Sequence, residues 1–188
     1  DKRANLCRMP NLWKFARPYG YEVRDDPSDP LYYLRYIYVQ EDCIQMLEKM
    51  TQEELHNSEL VVHYWWFCDI MKIIDFNSEK KYIVTKILKT AEHPETISCS
   101  SYYFIQNAFA ALNSPGEYYQ HPDGKLYYYP RPGEDMNTVD VYVPIHKENF
   151  RSLEFNDVPY LTIQNLKFYY TPFGLGGMNL PNMLIYNC

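Results

Sequence analysis

The sequence predicts an α+β domain with a helical N-terminal half packed on a mostly antiparallel C-terminal sheet. A capping box, Thr51-Gln-Glu-Glu54, begins a long apolar run and predicts a helix. A turn signal, His121-Pro-Asp-Gly124, separates two tyrosine-rich segments and predicts a hairpin. Residues 139–144 and 160–170 alternate with a period of two, which is typical of strands. We therefore expect three or four helices around a buried central helix, packed on that sheet.

The length of 188 residues suits a single domain, 1–188, with one hydrophobic core. Residues 1–30 contain several prolines without regular periodicity, so we expect an irregular arm held down by Leu12, Trp13 and Phe15. Residues 31–113 form the expected helical part and residues 117–188 the β-rich part. No repeat of fixed period is apparent in the sequence.

The helical part divides at its start and stop signals. Ser28-Asp29-Pro30 is a helix-start signal, and residues 31–50 after it form either one long helix or a strand that runs into a helix. The capped helix is apolar on every side over residues 60–74, which predicts the buried centre of the fold, with Trp66 in it. Two further helices are expected over residues 77–90 and 98–113.

Composition argues against nucleic-acid binding and membrane insertion, and it indicates exposed aromatic rings. The net charge of −6 leaves no basic face for nucleic acid. The apolar run 60–74 is interrupted by charged residues and is shorter than the roughly 18 residues of a membrane span, so we expect no membrane insertion. The chain holds 20 tyrosines, and 17% of its residues are aromatic. Many of these large amphipathic rings must lie at a surface or an interface.

Five cysteines are widely spaced and form no CxxC pair, which argues against a zinc or iron–sulfur site, and we expect no cofactor. We expect a secreted protein with disulfides that tie down its termini. The candidates for bonding are Cys7, Cys43, Cys99 and Cys188.

His56, Glu59 and His63 are spaced to share one flank of the predicted helix. Two imidazoles and a carboxylate are ligands that could hold a metal with an open coordination position. The alternative is that His63 is a half-buried histidine of the core.

Two candidate catalytic groups compete with structural interpretations. Asp69 falls on the apolar face of the predicted helix, where it is either a general acid or the partner of an Arg, Lys or His from the arm. Cys99 falls at a predicted helix start, where the helix dipole favours a thiolate nucleophile with His93 or His121 as its base. A disulfide or an inert thiol is the alternative for Cys99.

The tyrosines are the leading candidates for a contact surface. Adjacent residues of a strand point to opposite faces, so each tyrosine doublet of a strand turns one ring outward. Those rings either line a ligand site or protein interface or shield sheet edges. The candidate binding residues are Tyr119, Tyr127, Tyr128, Tyr129 and Tyr169.

The function that these patterns favour is binding or assembly without catalysis, through exposed tyrosines of the β-rich half. A protein partner or self-association is expected, and a small molecule or glycan is the other ligand that such rings suit. One alternative is a small hydrolase with a Cys/His or buried-carboxylate site. Another is a tyrosine-rich storage protein without a site.

Overall fold

The computed structural model describes residues 3–64, 67–90, 97, 100–142, 151–169 and 173–188. The chain divides into two compact units, Asp1–Asp135 and Met136–Cys188. The first unit contains the strands β1 (Asn5–Leu6), β2 (Arg8–Met9), β3 (Gly20–Asp25), β4 (Tyr32–Tyr38), β5 (Glu59–His63), β6 (Cys68–Asn77), β7 (Tyr82–Leu88), β8 (Tyr102–Gln106), β9 (Glu117–Gln120) and β10 (Leu126–Tyr128). Its helices are α1 (Glu41–Leu47), α2 (Gln52–Asn57) and a 3₁₀ turn, Phe109–Ala111. The second unit contains β11 (Arg151–Asn156), β12 (Thr162–Gln164), β13 (Phe173–Met178) and β14 (Leu184–Tyr186).

The first unit is built on a seven-stranded antiparallel sheet with the strand order β2-β8-β5-β6-β7-β4-β3. One face carries the core, in which side chains of the central strands pack with those of α1 and α2. Examples are Ile37, Leu60, Ile73 and Ile83, all fully buried, with Leu47 from α1. The predicted helical N-terminal half is therefore wrong, because the described residues hold two short α-helices and this half is dominated by a sheet.

The apolar run over residues 60–74 is a pair of strands and not a central helix. β5 and β6 pair antiparallel, with Leu60 opposite Met71 and Val62 opposite Asp69. Val61, which points to the other face, is also buried. A strand that is covered on both faces, such as β5, has apolar residues at consecutive positions, as a fully buried helix does. The pattern of apolar residues therefore did not distinguish a strand from a helix here. Trp66, assigned to the helix core, lies outside the described residues.

Two other predicted helices are also strands. Residues 77–90 contain β7, and residues 98–113 contain β8 followed by the 3₁₀ turn. Both strands are rich in aromatic and β-branched residues, whose fit to a pleated surface outweighs a helical spacing of apolar positions. The segment 1–30, expected to be irregular, contributes three strands. Trp13, which was expected to anchor this segment, is 86% exposed.

The local start signals were more informative than the periodicity. The Thr51 capping box is present with both reciprocal hydrogen bonds, although the helix that it begins ends at Asn57. Of the two alternatives for residues 31–50, the strand followed by a helix is correct, as β4 and α1. Ser28-Asp29-Pro30 begins no helix and lies in the turn between β3 and β4.

The second unit repeats with a period of 22 residues. β11 pairs parallel with β13, with Leu153 opposite Leu175, and β12 pairs parallel with β14, with Ile163 opposite Ile185. Two successive coils of a parallel β-helix have this arrangement, since each strand stacks on its equivalent in the next coil. Of the strand expected over 160–170, only β12 is present in the described part of the chain. In the strand expected over 139–144, residues 139–142 form no strand, and residues 143–144 lie outside the described residues.

The longer α-helix among the described residues has seven residues. No helix in this part of the chain has the length and apolarity needed to cross a bilayer.

Candidate functional site

The predicted hairpin is present and forms the framework of the candidate site. β9 and β10 pair antiparallel, while β1 adds to the other edge of β9 in parallel. The turn closes with the Gly124 amide donating to the His121 carbonyl over 3.0 Å, and Gly124 has a φ of 87°. That left-handed conformation is the one that the glycine of the turn signal accommodates.

The predicted contact tyrosines differ in their surroundings. Tyr119 is fully buried, which removes it from any contact surface, whereas Tyr127 and Tyr129 are about two-fifths exposed. The half-buried Tyr128 donates its hydroxyl to a Glu134 carboxylate oxygen over 2.6 Å. Tyr169 is exposed but belongs to the other unit.

One face of the hairpin carries an aromatic cluster. Tyr119 and Tyr127 are opposite each other in register, and their ring centroids are 6.1 Å apart. Phe109 lies edge-on to both rings, at 5.3 Å from Tyr119 and 5.5 Å from Tyr127. The His121 ring completes the cluster at 6.2 Å from Tyr127. The buried Tyr119 thus supports the partly exposed rings of Phe109 and Tyr127.

The other face of the hairpin borders a polar cleft of about 330 Å³, which extends around the end of β9 to His121, the residue shared with the aromatic cluster. Tyr118, which points away from Tyr119, supplies an aromatic wall. Most of the remaining wall is formed by side chains that donate and accept hydrogen bonds. The lining residues are Leu6, Asn57, Glu59, Lys72, Asn107, Tyr118, Gln120, His121, Pro122 and Gly124.

Two asparagines fasten the hairpin to the large sheet. Asn107, just after β8, accepts from the Gln120 amide over 3.0 Å and donates to the Gln120 carbonyl over 3.2 Å. Asn57, at the end of α2, donates to the same carbonyl over 2.7 Å. The cleft walls are therefore held together by hydrogen bonds between side chain and backbone.

An ion pair forms the charged part of the cleft. The Lys72 ammonium lies 3.0 Å from the Glu59 carboxylate and also donates to the Asn57 carbonyl over 3.0 Å. Gln106 donates to the second oxygen of Glu59 over 2.8 Å. Because β5, β6 and β8 are neighbours in the sheet, their register brings these three side chains into one row.

The hairpin turn holds a second charged pair. Nδ1 of His121 lies 2.8 Å from Oδ1 of Asp123, and the Lys125 ammonium lies 2.6 Å from Oδ2. The hydrogen bond from Lys125, followed by others at the turn, lowers the pKa of the Asp123 carboxyl. The backbone amide of Asp123 donates to the same Nδ1 over 3.2 Å, so the turn fixes the His121 ring at the rim of the cleft.

The structure does not bring the predicted metal ligands onto one helix flank. His56 is on α2, whereas Glu59 and His63 are at opposite ends of β5. Glu59 pairs with Lys72, and His63 packs against the rings of Phe15 and Phe104. Within the described ranges, no three His, Cys, Asp or Glu side chains are grouped in a way that would hold a metal ion.

Asp69 lies on β6 beside the buried Arg35 of β4. Its Oδ2 accepts from the Arg35 guanidinium over 2.9 Å and from the Tyr64 hydroxyl over 2.8 Å. Burial is the main cause that raises the pKa of Tyr64, and the charge of Arg35 opposes it. A smaller cavity of about 270 Å³ lies beside α1 and is lined by Asp42, Gln45 and Met46. Asp69 lines neither this cavity nor the polar cleft.

The four described cysteines are free thiols. Cys7 and Cys43 are buried, and Cys68 and Cys188 are exposed. Burial is the main cause that raises the pKa of Cys7, and that of Cys43, to about 12. Cys99 and His93, the proposed nucleophile and base, lie outside the described residues.

Most of the cleft was not predicted from the sequence. Asn57 is the last residue of α2, whereas Lys72, Asn107 and Gln120 lie on strands or directly after them. Asn57, Lys72 and Asn107 fall within segments that were assigned to helices. The signal that could have found Asn107 and Gln120 is weak. Each is an amide at the end of an alternating aromatic segment, FIQN or YYQ.

The comparisons with known proteins extend to the fold alone. A solved structure named "Glycoside hydrolase" matches 71% of this chain at 22% sequence identity with a TM-score of 0.51. The chain spans 23% of that structure's own chain. No protein-family model matches the sequence, and no curated protein matches it significantly.

Proposed function

We propose that the chain is a non-catalytic binding module that holds a carbohydrate in the polar cleft beside the β9–β10 hairpin. The observation that carries this proposal is the composition of the cleft. One aromatic ring, Tyr118, is combined with amide, carboxylate and ammonium groups in a volume of about 330 Å³. Ligand sites of this size commonly have a few fixed polar groups that orient the ligand.

Sugars require this mixture of groups. A pyranose presents apolar C–H faces that pack on an aromatic ring, surrounded by hydroxyls that both donate and accept. Tyrosine offers a rigid amphipathic surface, and side-chain amides offer a donor and an acceptor in one plane. Glu59 and Lys72 add an acceptor and a donor, each already held by neighbouring groups.

The cleft walls are also preorganised. Asn57 and Asn107 are fixed through their bonds to the Gln120 backbone, so a ligand does not have to order them. Avoiding that entropic cost favours binding without adding contacts.

The name of the solved neighbour directs the choice among polyols toward carbohydrate, since that name refers to glycosidic bonds. Hydrolysis is not carried over to this chain, because the match covers 23% of the neighbour. The engagement of Asp69 by Arg35 and Tyr64 also gives no support to the buried-carboxylate hydrolase.

The test is calorimetric titration of the protein with a panel of soluble neutral and acidic oligosaccharides. Tyr118→Ala should weaken binding about 30-fold, the size of a contact hot spot of about 2 kcal/mol, while keeping the thermal midpoint within a few degrees. Tyr129→Ala is the matched control, since this exposed tyrosine of the same hairpin does not line the cleft.

Tyr127→Ala locates the site on the hairpin. If binding survives Tyr118→Ala and is lost in Tyr127→Ala, the ligand lies on the aromatic cluster of the opposite face and the cleft proposal is wrong. If no oligosaccharide binds at millimolar concentration, the carbohydrate proposal itself is wrong.

A further inference from the structure

The 22-residue repeat of the second unit is visible in the sequence once the register is known. Residues 157–165 and 179–187 align with Pro159 at Pro181, Ile163 at Ile185 and Asn165 at Asn187. The aligned backbone agrees as well, because the left-handed residues Asp157, Tyr160 and Asn165 recur 22 positions later at Asn179, Asn182 and Asn187. The two coils are therefore copies of one structural unit.

The equivalent isoleucines of the two coils differ in exposure. Ile163 is 6% exposed, whereas Ile185, directly opposite it in the parallel register, is 49% exposed. On β12 the neighbours of Ile163, Thr162 and Gln164, are exposed, so the isoleucine position points inward. Ile185 occupies the same inward-facing position as Ile163 in its coil, but its side chain is half exposed whereas that of Ile163 is buried.

Side-chain amides form a ladder between the coils. Asn179 donates its Nδ2 to Oδ1 of Asp157 over 2.9 Å, and Asn187 donates its Nδ2 to Oδ1 of Asn165 over 2.6 Å. Each donor asparagine has its own Oδ1, which is able to accept the same bond from the next coil. The ladder can thus be extended by one coil without any change in its chemistry.

The backbone of β14 offers the same continuation. β14 pairs with β12 along one edge, and no other strand of the described chain pairs with it. A strand edge of this kind presents unpaired N–H and C=O groups that bind a further strand.

We propose that the β14 edge, with Ile185 at its centre and Asn187 at its end, is the docking surface for a further coil of the same 22-residue repeat. The docking segment runs parallel to β14, places an apolar residue on Ile185 and an asparagine at the ladder position of Asn187. This occupant fits better than a generic apolar partner, because the existing coil contact specifies spacing, direction and side-chain type together. A single further coil would bury the exposed half of Ile185.

The experiment uses the 188-residue chain and the same chain extended by a second copy of residues 167–188. Hydrogen exchange of the Ile185 amide, followed by mass spectrometry, reports whether the added coil docks, because Leu184 already donates its amide to Leu161 in the preceding coil. We expect at least tenfold slower exchange in the extended chain.

Variants of the extended chain separate docking from nonspecific cover. Ile185→Lys, which places a charge at the inward position, should abolish the protection. Leu184→Lys, its outward-facing neighbour, should retain it. An extension of the same composition in scrambled order should give no protection.

Three outcomes would overturn the proposal. One is unchanged exchange in the extended chain, and another is equal protection by the scrambled extension. The third is self-association of the unextended protein in sedimentation that Ile185→Lys abolishes, since the occupant would then be a second copy of the chain.

Discussion

At the scale of single residues, Arg35 is among the largest fully buried side chains of the protein. Its guanidinium lies 2.9 Å from Asp69 and 3.3 Å from the Tyr64 hydroxyl. Arg35 is fully buried and the side chain of Asp69 is 30% exposed, so removing the guanidinium leaves a largely desolvated carboxylate with only the Tyr64 hydroxyl as a side-chain donor among the described residues. Arg35 thus holds β4 to β6 through a network that depends on all its members.

We expect Arg35→Met to lower the free energy of unfolding by about 3 kcal/mol, measured by urea denaturation. Arg24→Met is the control, because Arg24 forms an ion pair with Glu22 in which both side chains are exposed, and it should leave the urea midpoint close to that of the parent. The double variant Arg35→Met with Asp69→Leu should recover part of the loss. A midpoint of Arg35→Met equal to that of the parent would refute this role.

The thiols provide a second prediction at this scale. Burial raises the pKa of Cys7 and of Cys43 to about 12, so at pH 7.5 both are protonated as well as shielded. Iodoacetamide should therefore alkylate the exposed Cys68 and Cys188 at least 100-fold faster, as measured by mass spectrometry of the individual peptides. Comparable rates for Cys7 and Cys68 in the native protein would contradict the burial.

For single residues, the sequence indicated which side chains need a compensating partner, but not which residue that partner is. Asp69 was recognisable as a carboxylate among apolar neighbours that needs compensation, but Arg35 is 34 residues away in the sequence. Tyr119 and Tyr127 were both predicted to point outward, yet their direct pairing across the hairpin places them on one face with Phe109, and Tyr119 is buried. The register of the strand pairing decides which face of the hairpin each tyrosine occupies.

At the scale of elements, two short-range signals succeeded because their physics is local, whereas the helix-start signal Ser28-Asp29-Pro30 lies in a turn. The Thr51 capping box and the His121–Gly124 turn both form with the expected hydrogen bonds. The helix predicted over residues 60–74 failed because burial on both sides of β5 depends on strands and loops distant in sequence. Leu60, Val61 and Val62 of β5 are therefore all apolar and buried, and the period of two disappears in this strand.

The β3–β4 turn leads to a pH-dependent prediction. Asp26 accepts from the Lys86 ammonium and from the amide and hydroxyl of Ser28, and these bonds, with that from Lys86 the largest cause, lower its pKa to about 2. A carboxyl with a lowered pKa stabilises the folded state above its ordinary pKa near 4. That stabilisation is lost as the pH falls toward 2.

Asp26→Asn should therefore have a lower thermal midpoint than the parent at pH 5 to 7, and the difference should shrink as the pH falls below about 4 and be small by pH 2. Asp25→Asn is the control, because the side chain of Asp25 is 76% exposed in its pair with Lys89 and its removal should have little effect. A difference for Asp26→Asn that stays constant between pH 2 and 7 would exclude this account.

At the scale of the whole molecule, the described core cluster lies entirely within Asp1–Asp135. A unit with its own core is expected to fold by itself. We predict that a fragment of residues 1–135 keeps the urea midpoint of the full chain to within about 0.3 M, in unfolding followed by tryptophan fluorescence. All three tryptophans, Trp13, Trp65 and Trp66, belong to this unit, so the signal reports on it alone. A fragment without a cooperative transition would contradict that independence.

The sequence alone could not have predicted this organisation. Of the seven strands in the large sheet, β4 pairs with β7 and β5 with β8 across about 50 and 45 residues, by interactions that leave no local pattern. The 22-residue repeat was detectable in principle through Pro159 and Pro181 or Asn165 and Asn187, but two copies provide too few matches for a period to be evident.

The most direct test of the carbohydrate site is a nuclear magnetic resonance titration of the side-chain amide groups with the oligosaccharide that binds most tightly in calorimetry. The signals of Asn57, Asn107 and Gln120 should shift in a saturable way with one dissociation constant, because these groups line the cleft. Asn179 and Asn187, in the other unit, are internal controls and should not move. Stationary signals from all three cleft amides, with the ligand bound elsewhere or not at all, would contradict the proposed function.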